Sequence, residues 1–113
     1  MSRDEVTLVD IVHAARRVLD FAAGLTRDTF KQDAKTQSAV LHQLLVVGEA
    51  VKRLSVELRA AHPLVPWALI AGMRDKLIHA YDEVDLDEVW RTIANDIPDL
   101  LAHLEPLMPH DQG

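Results

Sequence analysis

Arg74, His79 and Tyr81 bring a guanidinium, an imidazole and a phenol into one stretch of eight residues. Arginine grips phosphate in two-point geometry and stays charged at every relevant pH. Histidine is the side chain whose ordinary pKa suits proton transfer near neutrality. An arginine and a histidine brought to one phosphodiester would supply charge neutralisation and proton transfer, enough to cut it without a metal. At about 100° per residue, Trp67, Ile70, Met73, Leu77 and Tyr81 share one helical face, which reads as a core stripe. Arg74 falls at its edge, roughly 40° from Ile70, and long charged side chains usually point away from a core. His79 lies about 140° around from Arg74, so the two do not converge within one straight helix. Either the helix ends near His79, or Arg74 reaches around, or a second subunit completes the site. The plainer alternative is that Arg74 pairs with a structural carboxylate and His79 is a surface or capping histidine. Glu49 stands beside Gly48 in an apolar neighbourhood. It reads either as a buried partner for an arginine or as the group that holds Arg74 or His79 in place.

The elements that must position these groups are helical. A first helix is expected from about Asp4 to Ala23. Asp10, His13, Arg17 and Asp20 form its polar stripe, and a wide apolar sector fills the rest. That width suggests burial against more than one neighbour, including a second subunit. Gly24 reads as the stop, and Thr26 to Phe30 as a short helical turn capped by Thr26. A long helix is expected from about Thr36 to Ala61, with Gly48 inside it. Glycine there costs roughly 1 kcal/mol against alanine, and a close helix–helix approach is the expected return. Pro63 and Pro66 break the pattern, with Pro66 placed at the first turn of the next helix. That helix carries Arg74 and should end near His79 to Tyr81. Asp85 and Glu88 have capping-box spacing and open a last helix that Pro98 should kink. Leu107 to Gly113 reads as a tail. The expectation is an all-α protein, an antiparallel helical bundle of four main helices plus a short one, in a single domain over residues 1–113.

The chain has 113 residues, a net charge of −6 and 49% apolar residues. This suffices for a modest core. No apolar run is long enough to span a membrane. The polar N-terminus shows no signal-peptide pattern, so a cytoplasmic location is expected. Cysteine is absent, which excludes disulfides and thiolate metal sites. The acidic balance argues against a nonspecific nucleic-acid coat. It leaves room for a local basic patch and suits a protein that meets a basic partner.

Other chemistry finds less support. A di-iron bundle would need Glu-x-x-His on facing helices. The nearest pattern, Asp10 to His13, falls on a polar face. His42, His62, His103 and His110 show no ligand spacing with one another. There is no glycine-rich phosphate loop, and neither Ser38 nor Ser55 has a local motif for an activated nucleophile. Met73 reads as core filling. No metal and no cofactor is expected.

The run from Trp67 to Tyr81 resembles the HepT-like toxins of the HEPN superfamily, whose signature is R-x4-H-x-Y with Asn or Asp after the arginine. Here those positions are Arg74, Asp75, His79 and Tyr81. Gly48-Glu49-Ala50 followed by Lys52-Arg53-Leu54 is similar to the family's third-helix segment, and Pro63 to Trp67 to its entry into the motif helix. Asp85, Trp90 and the Ile97-Pro98 step are similar to its last helix. The resemblance covers nearly the whole chain.

The resemblance implies a HEPN-like bundle and a metal-independent endoribonuclease, the toxin of a type II or type VII-like toxin–antitoxin pair. In that scheme a ribose 2′-hydroxyl attacks the adjacent phosphate. Arg74 and His79 are catalytic, and Asp75, Glu49 and Tyr81 support them. The implied partners are an RNA substrate, a second copy in a homodimer and a minimal nucleotidyltransferase antitoxin that places AMP on Tyr81. DNA and membranes are not expected partners. The alternative is a HEPN helical module that has lost turnover and only holds a partner or RNA.

Overall fold

The computed structural model describes residues 1–79 and 83–109. Among them the structure is all-α, and no strand is present. The order is α1 (Arg3–Ala22), α2 (Arg27–Lys31), α3 (Ala34–Arg53), α4 (Val56–Ala61), α5 (Trp67–His79), α6 (Leu86–Arg91) and α7 (Ile97–Leu104). A π-helical turn, Thr92–Asp96, joins α6 to α7, and a 3₁₀ turn, Glu105–Leu107, follows.

Local chemistry fixes most boundaries. Ser2 and Glu5 form a reciprocal capping box at α1. Thr26 caps α2, Asp33 caps α3 and Ser55 caps α4, each accepting from a backbone N–H in the first turn. Gly24, at φ 80°, supplies the left-handed residue just past α1. Asp85 caps α6 through the N–H groups of Asp87 and Glu88. The expected box there is only half made, because the Glu88 carboxylate pairs with Lys76 Nζ at 3.3 Å.

The expected long helix from Thr36 to Ala61 is in fact two. In a continuous helix the Ser55 N–H would donate to the Val51 carbonyl. Instead it donates to Asp4 Oδ1 at 2.9 Å, and the Ser55 hydroxyl donates to Asp4 Oδ2 at 2.6 Å. Leu54 N–H takes over the Val51 carbonyl in a tighter turn. The expected last helix is also interrupted, upstream of Pro98. Proline brings no N–H, and its ring crowds the carbonyl four residues back. The turn widens, and Ile97 N–H reaches to the carbonyl of Thr92.

Asp4 at the start of α1 meets Ser55 just past the end of α3, so these two long helices are antiparallel. Their shared core holds Ile11, Val12, Ala15 and Val18 from α1 and Val40, Leu44, Val47 and Val51 from α3, all essentially inaccessible. α7 covers α1 with Leu100, Leu101 and Leu104. The wide apolar sector of α1 is therefore filled within the chain, apart from Val6 and Phe21 at its margins. Phe30 of α2 stacks against Trp90 of α6 at 5.5 Å. The extents are 40 × 33 × 20 Å, and the thin dimension is about two helix diameters. No helix among the described residues is long and apolar enough to cross a membrane.

α5 is packed chiefly against α3. Trp67 and Leu77 are its buried residues, and Ile70 and Met73 are half-buried against the core. Trp67 also locks the preceding loop, its indole N–H shared between the carbonyls of Arg59 and His62, each at 3.0 Å. Pro66 stands just before the helix rather than inside it, and its carbonyl accepts the N–H of Ile70.

Candidate active site

The contact between α3 and α5 is closest at Gly48. A Cβ on Gly48 would overlap Arg74 Cβ and press on the carbonyl of Ile70. Glycine at this position lets the two backbones approach, and the approach puts Arg74 directly over α3. This is the expected return on a helical glycine, and it accounts for an arginine at the edge of a core stripe.

Two carboxylates hold the guanidinium. Arg74 Nε lies 2.8 Å from Glu49 Oε2 of α3. That contact is an ion pair by distance; its N–H is not aligned as a hydrogen bond. On the other side Arg74 Nη1 donates to Asp75 Oδ1 at 3.0 Å. The same Asp75 oxygen accepts from Lys52 Nζ at 2.6 Å. The hydrogen bonds from Lys52 and then from Arg74 hold the Asp75 carboxyl below its ordinary pKa. Arginine carries five N–H donors. Among the described residues, the Arg74 ion pairs use only Nε and Nη1, which leaves Nη2 uncommitted. The arginine side chain is 26% exposed, so it is anchored and still reachable.

Glu49, Asp75 and Arg74 are thus brought together as the sequence suggests. Glu49 meets the arginine through an oxygen that is itself buried, while its side chain as a whole is 46% exposed. His79 is the last residue of α5, with an exposed side chain five residues past Arg74. The expected helix end near His79 to Tyr81 lies at and beyond the border of the described residues. Tyr81 lies outside the described residues, as does the Asp82 end of this segment. Lys52 is the member of the cluster that the third-helix resemblance includes without giving it a role. Its signal was present: it follows Glu49 by three residues, so both fall on the α3 face that Gly48 opens.

A groove of about 300 Å³ runs between α5 and the α6–α7 segment, over Ile70, Met73, Ile97 and Leu100. Neither Arg74 nor His79 lines it. The charged cluster lies outside that groove, with the Lys52, Glu49 and Asp75 side chains 38%, 46% and 46% exposed.

The sequence matches the family described as Ribonuclease HepT-like over residues 11–107. It is 41% identical over 100 residues to a protein of Thermococcus cleftensis named "Probable ribonuclease HepT", covering 88% of this chain and 91% of that one. It is 37% identical over 106 residues to a Methanocaldococcus jannaschii protein provisionally named an RNase, covering 94% and 88% of the two chains. A provisionally named RNase of Caldanaerobacter subterraneus is 35% identical over 105 residues, 93% and 94% of the two chains. No solved structure matches. With nearly the whole chain matched, a helical bundle of the expected kind and the R-x4-H-x-Y residues in place, this chain belongs to the ribonuclease HepT-like family.

Proposed function

We propose that the protein is a metal-independent endoribonuclease and the toxin of a toxin–antitoxin pair, acting as a single HEPN-like domain in the cytoplasm. The observation that carries the reading is the held state of Arg74. Two carboxylates orient it from different helices, and among the described residues one terminal nitrogen is left without an ion pair. A guanidinium so arranged suits a phosphoryl oxygen. A charged cluster outside the groove suits RNA better than a small molecule.

In the reaction the ribose 2′-oxygen bonds to the adjacent phosphorus and the bond from phosphorus to the 5′-oxygen breaks. The products are a 2′,3′-cyclic phosphate and a free 5′-hydroxyl. His79 takes the 2′ proton as general base or gives a proton to the leaving oxygen as general acid. Arg74 neutralises charge that grows on the phosphoryl oxygens. One imidazole cannot easily serve both oxygens in line, so a homodimer would supply a second His79. The antitoxin is a minimal nucleotidyltransferase that transfers AMP from ATP to the Tyr81 hydroxyl with release of pyrophosphate, adding bulk and negative charge near the motif.

Expression of the chain alone and with the adjacent gene tests this. Growth should fail with the chain alone. It should recover with the partner, or with either Arg74→Ala or His79→Ala. Undiminished toxicity of His79→Ala would refute the assignment. A partnered toxin without AMP on Tyr81 that is still neutralised would replace modification by simple burial.

A further inference from the structure

Lys52 is not part of the R-x4-H-x-Y motif, yet its ammonium makes the shortest polar contact in the cluster, 2.6 Å to Asp75 Oδ1. That oxygen is also the one Arg74 Nη1 reaches at 3.0 Å. The charges around Arg74 are then Glu49 and Asp75, both negative, with Lys52 as the second positive group. Without Lys52, Arg74 would stand between two carboxylates at a site with a net negative charge. Such a site repels a phosphodiester. With Lys52 the cluster is neutral, and Asp75 has a second cation to satisfy it.

We propose that Lys52 is a positioning residue for the phosphate-binding role of Arg74: it holds the Asp75 carboxylate and cancels its charge, so that Arg74 remains available to an RNA phosphate. This rests on the proposed role of Arg74 as the group that meets phosphate. Geometry favours an indirect role for Lys52, because its ammonium reaches across from α3 to Asp75 of α5 at 2.6 Å. The two helices share the work. α3 supplies one anion and one cation, Glu49 and Lys52, a turn apart. α5 supplies the complementary pair in consecutive residues.

The test uses the full chain in a His79→Ala background and a fluorescein-labelled single-stranded RNA of mixed sequence, with binding read by anisotropy. Lys52→Met should weaken binding on the order of tenfold at low salt and far less at high salt, since exposed charges are screened. Adding Asp75→Asn to Lys52→Met removes the uncompensated carboxylate and should restore most of the affinity, although it removes a second charged side chain. A merely structural role for Lys52 would not give that rescue. Unchanged affinity in Lys52→Met overturns the proposal. A loss that Asp75→Asn fails to relieve also overturns it, because Lys52 would then touch the RNA itself. Arg74→Ala separates the layers. If it binds RNA as well as its background does, the phosphate role of Arg74 falls. If it binds weakly while Lys52→Met binds normally, only the role of Lys52 falls.

Discussion

At the scale of single residues, Arg74 gains its meaning from direction as much as from charge. Its Nε faces Glu49 and its Nη1 faces Asp75, at 2.8 and 3.0 Å. A planar fork with several donors can meet both carboxylates and still present an N–H to a third oxygen. An ammonium is a point charge and would collapse onto one carboxylate. Arg74→Lys should therefore lower kcat/KM almost as far as Arg74→Ala, on the order of 100-fold or more, the scale of losing one transition-state donor. RNA cleavage assays on the two variants decide this; near-parental activity in Arg74→Lys would show that charge alone suffices. The grouping of Arg74 with Asp75 and Glu49 was legible because a charged side chain at a core edge needs a partner, whereas no contact among the described residues joins His79 to them. Lys52 was not legible in the same way. A lysine on a helix surface is ordinary, and its reach to Asp75 depends on how closely α3 and α5 approach.

At the scale of elements, that approach is set by Gly48. A methyl there would gain about 1 kcal/mol of helix propensity. It would also overlap Arg74 Cβ, and overpacking of this kind costs about 1–3 kcal/mol. The overlap involves side-chain atoms next to the backbone, which cannot swing away, so the loss should win. Gly48→Ala should lower the melting temperature and reduce activity together. Gly72 on α5 is the internal control, because a Cβ there meets nothing within 4 Å. Gly72→Ala should raise the melting temperature. Thermal melts that reverse this order would contradict the account of the helix contact. The break between α3 and α4 was not legible, because its cause is Asp4, 51 residues away in sequence. Hydrogen bonds from Ser55 hold the Asp4 carboxyl below its ordinary value of 3.8. The stability this provides is complete above that value and is lost as pH falls through the depressed one. Asp4→Asn should thus melt below the parent at neutral pH and converge with it in acid. Parallel melting curves across that range would show that the contact contributes nothing. The π-helical turn before Pro98 was half legible: proline announced a disturbance, while its form depended on which carbonyl Ile97 could reach.

At the scale of the whole molecule, α5 rests chiefly on α3 and leaves Ile78, beside His79, 46% exposed. Helical periodicity made the bundle legible, since it reports which faces seek cover. It could not tell cover by the same chain from cover by another, and most of the wide apolar sector of α1 proved to be covered by α3 and α7. The exposed Ile78 next to His79 and the angle between Arg74 and His79 now carry the expectation of a homodimer. Sedimentation at micromolar concentration should find the dimer mass; a monomer would leave His79 without its second copy. The central claim is that the nucleophile belongs to the RNA and that the protein's own residues move the proton and neutralise the charge. The most direct test is cleavage, in the presence of EDTA, of an RNA cut at a mapped position and of the same strand with a 2′-deoxy sugar at that position. The account predicts that the first strand is cut with chelator present, leaving a 2′,3′-cyclic phosphate, and that the second stays intact there. Cleavage of the deoxy-substituted strand at a normal rate, or loss of all cleavage in EDTA with recovery on adding magnesium, would contradict it.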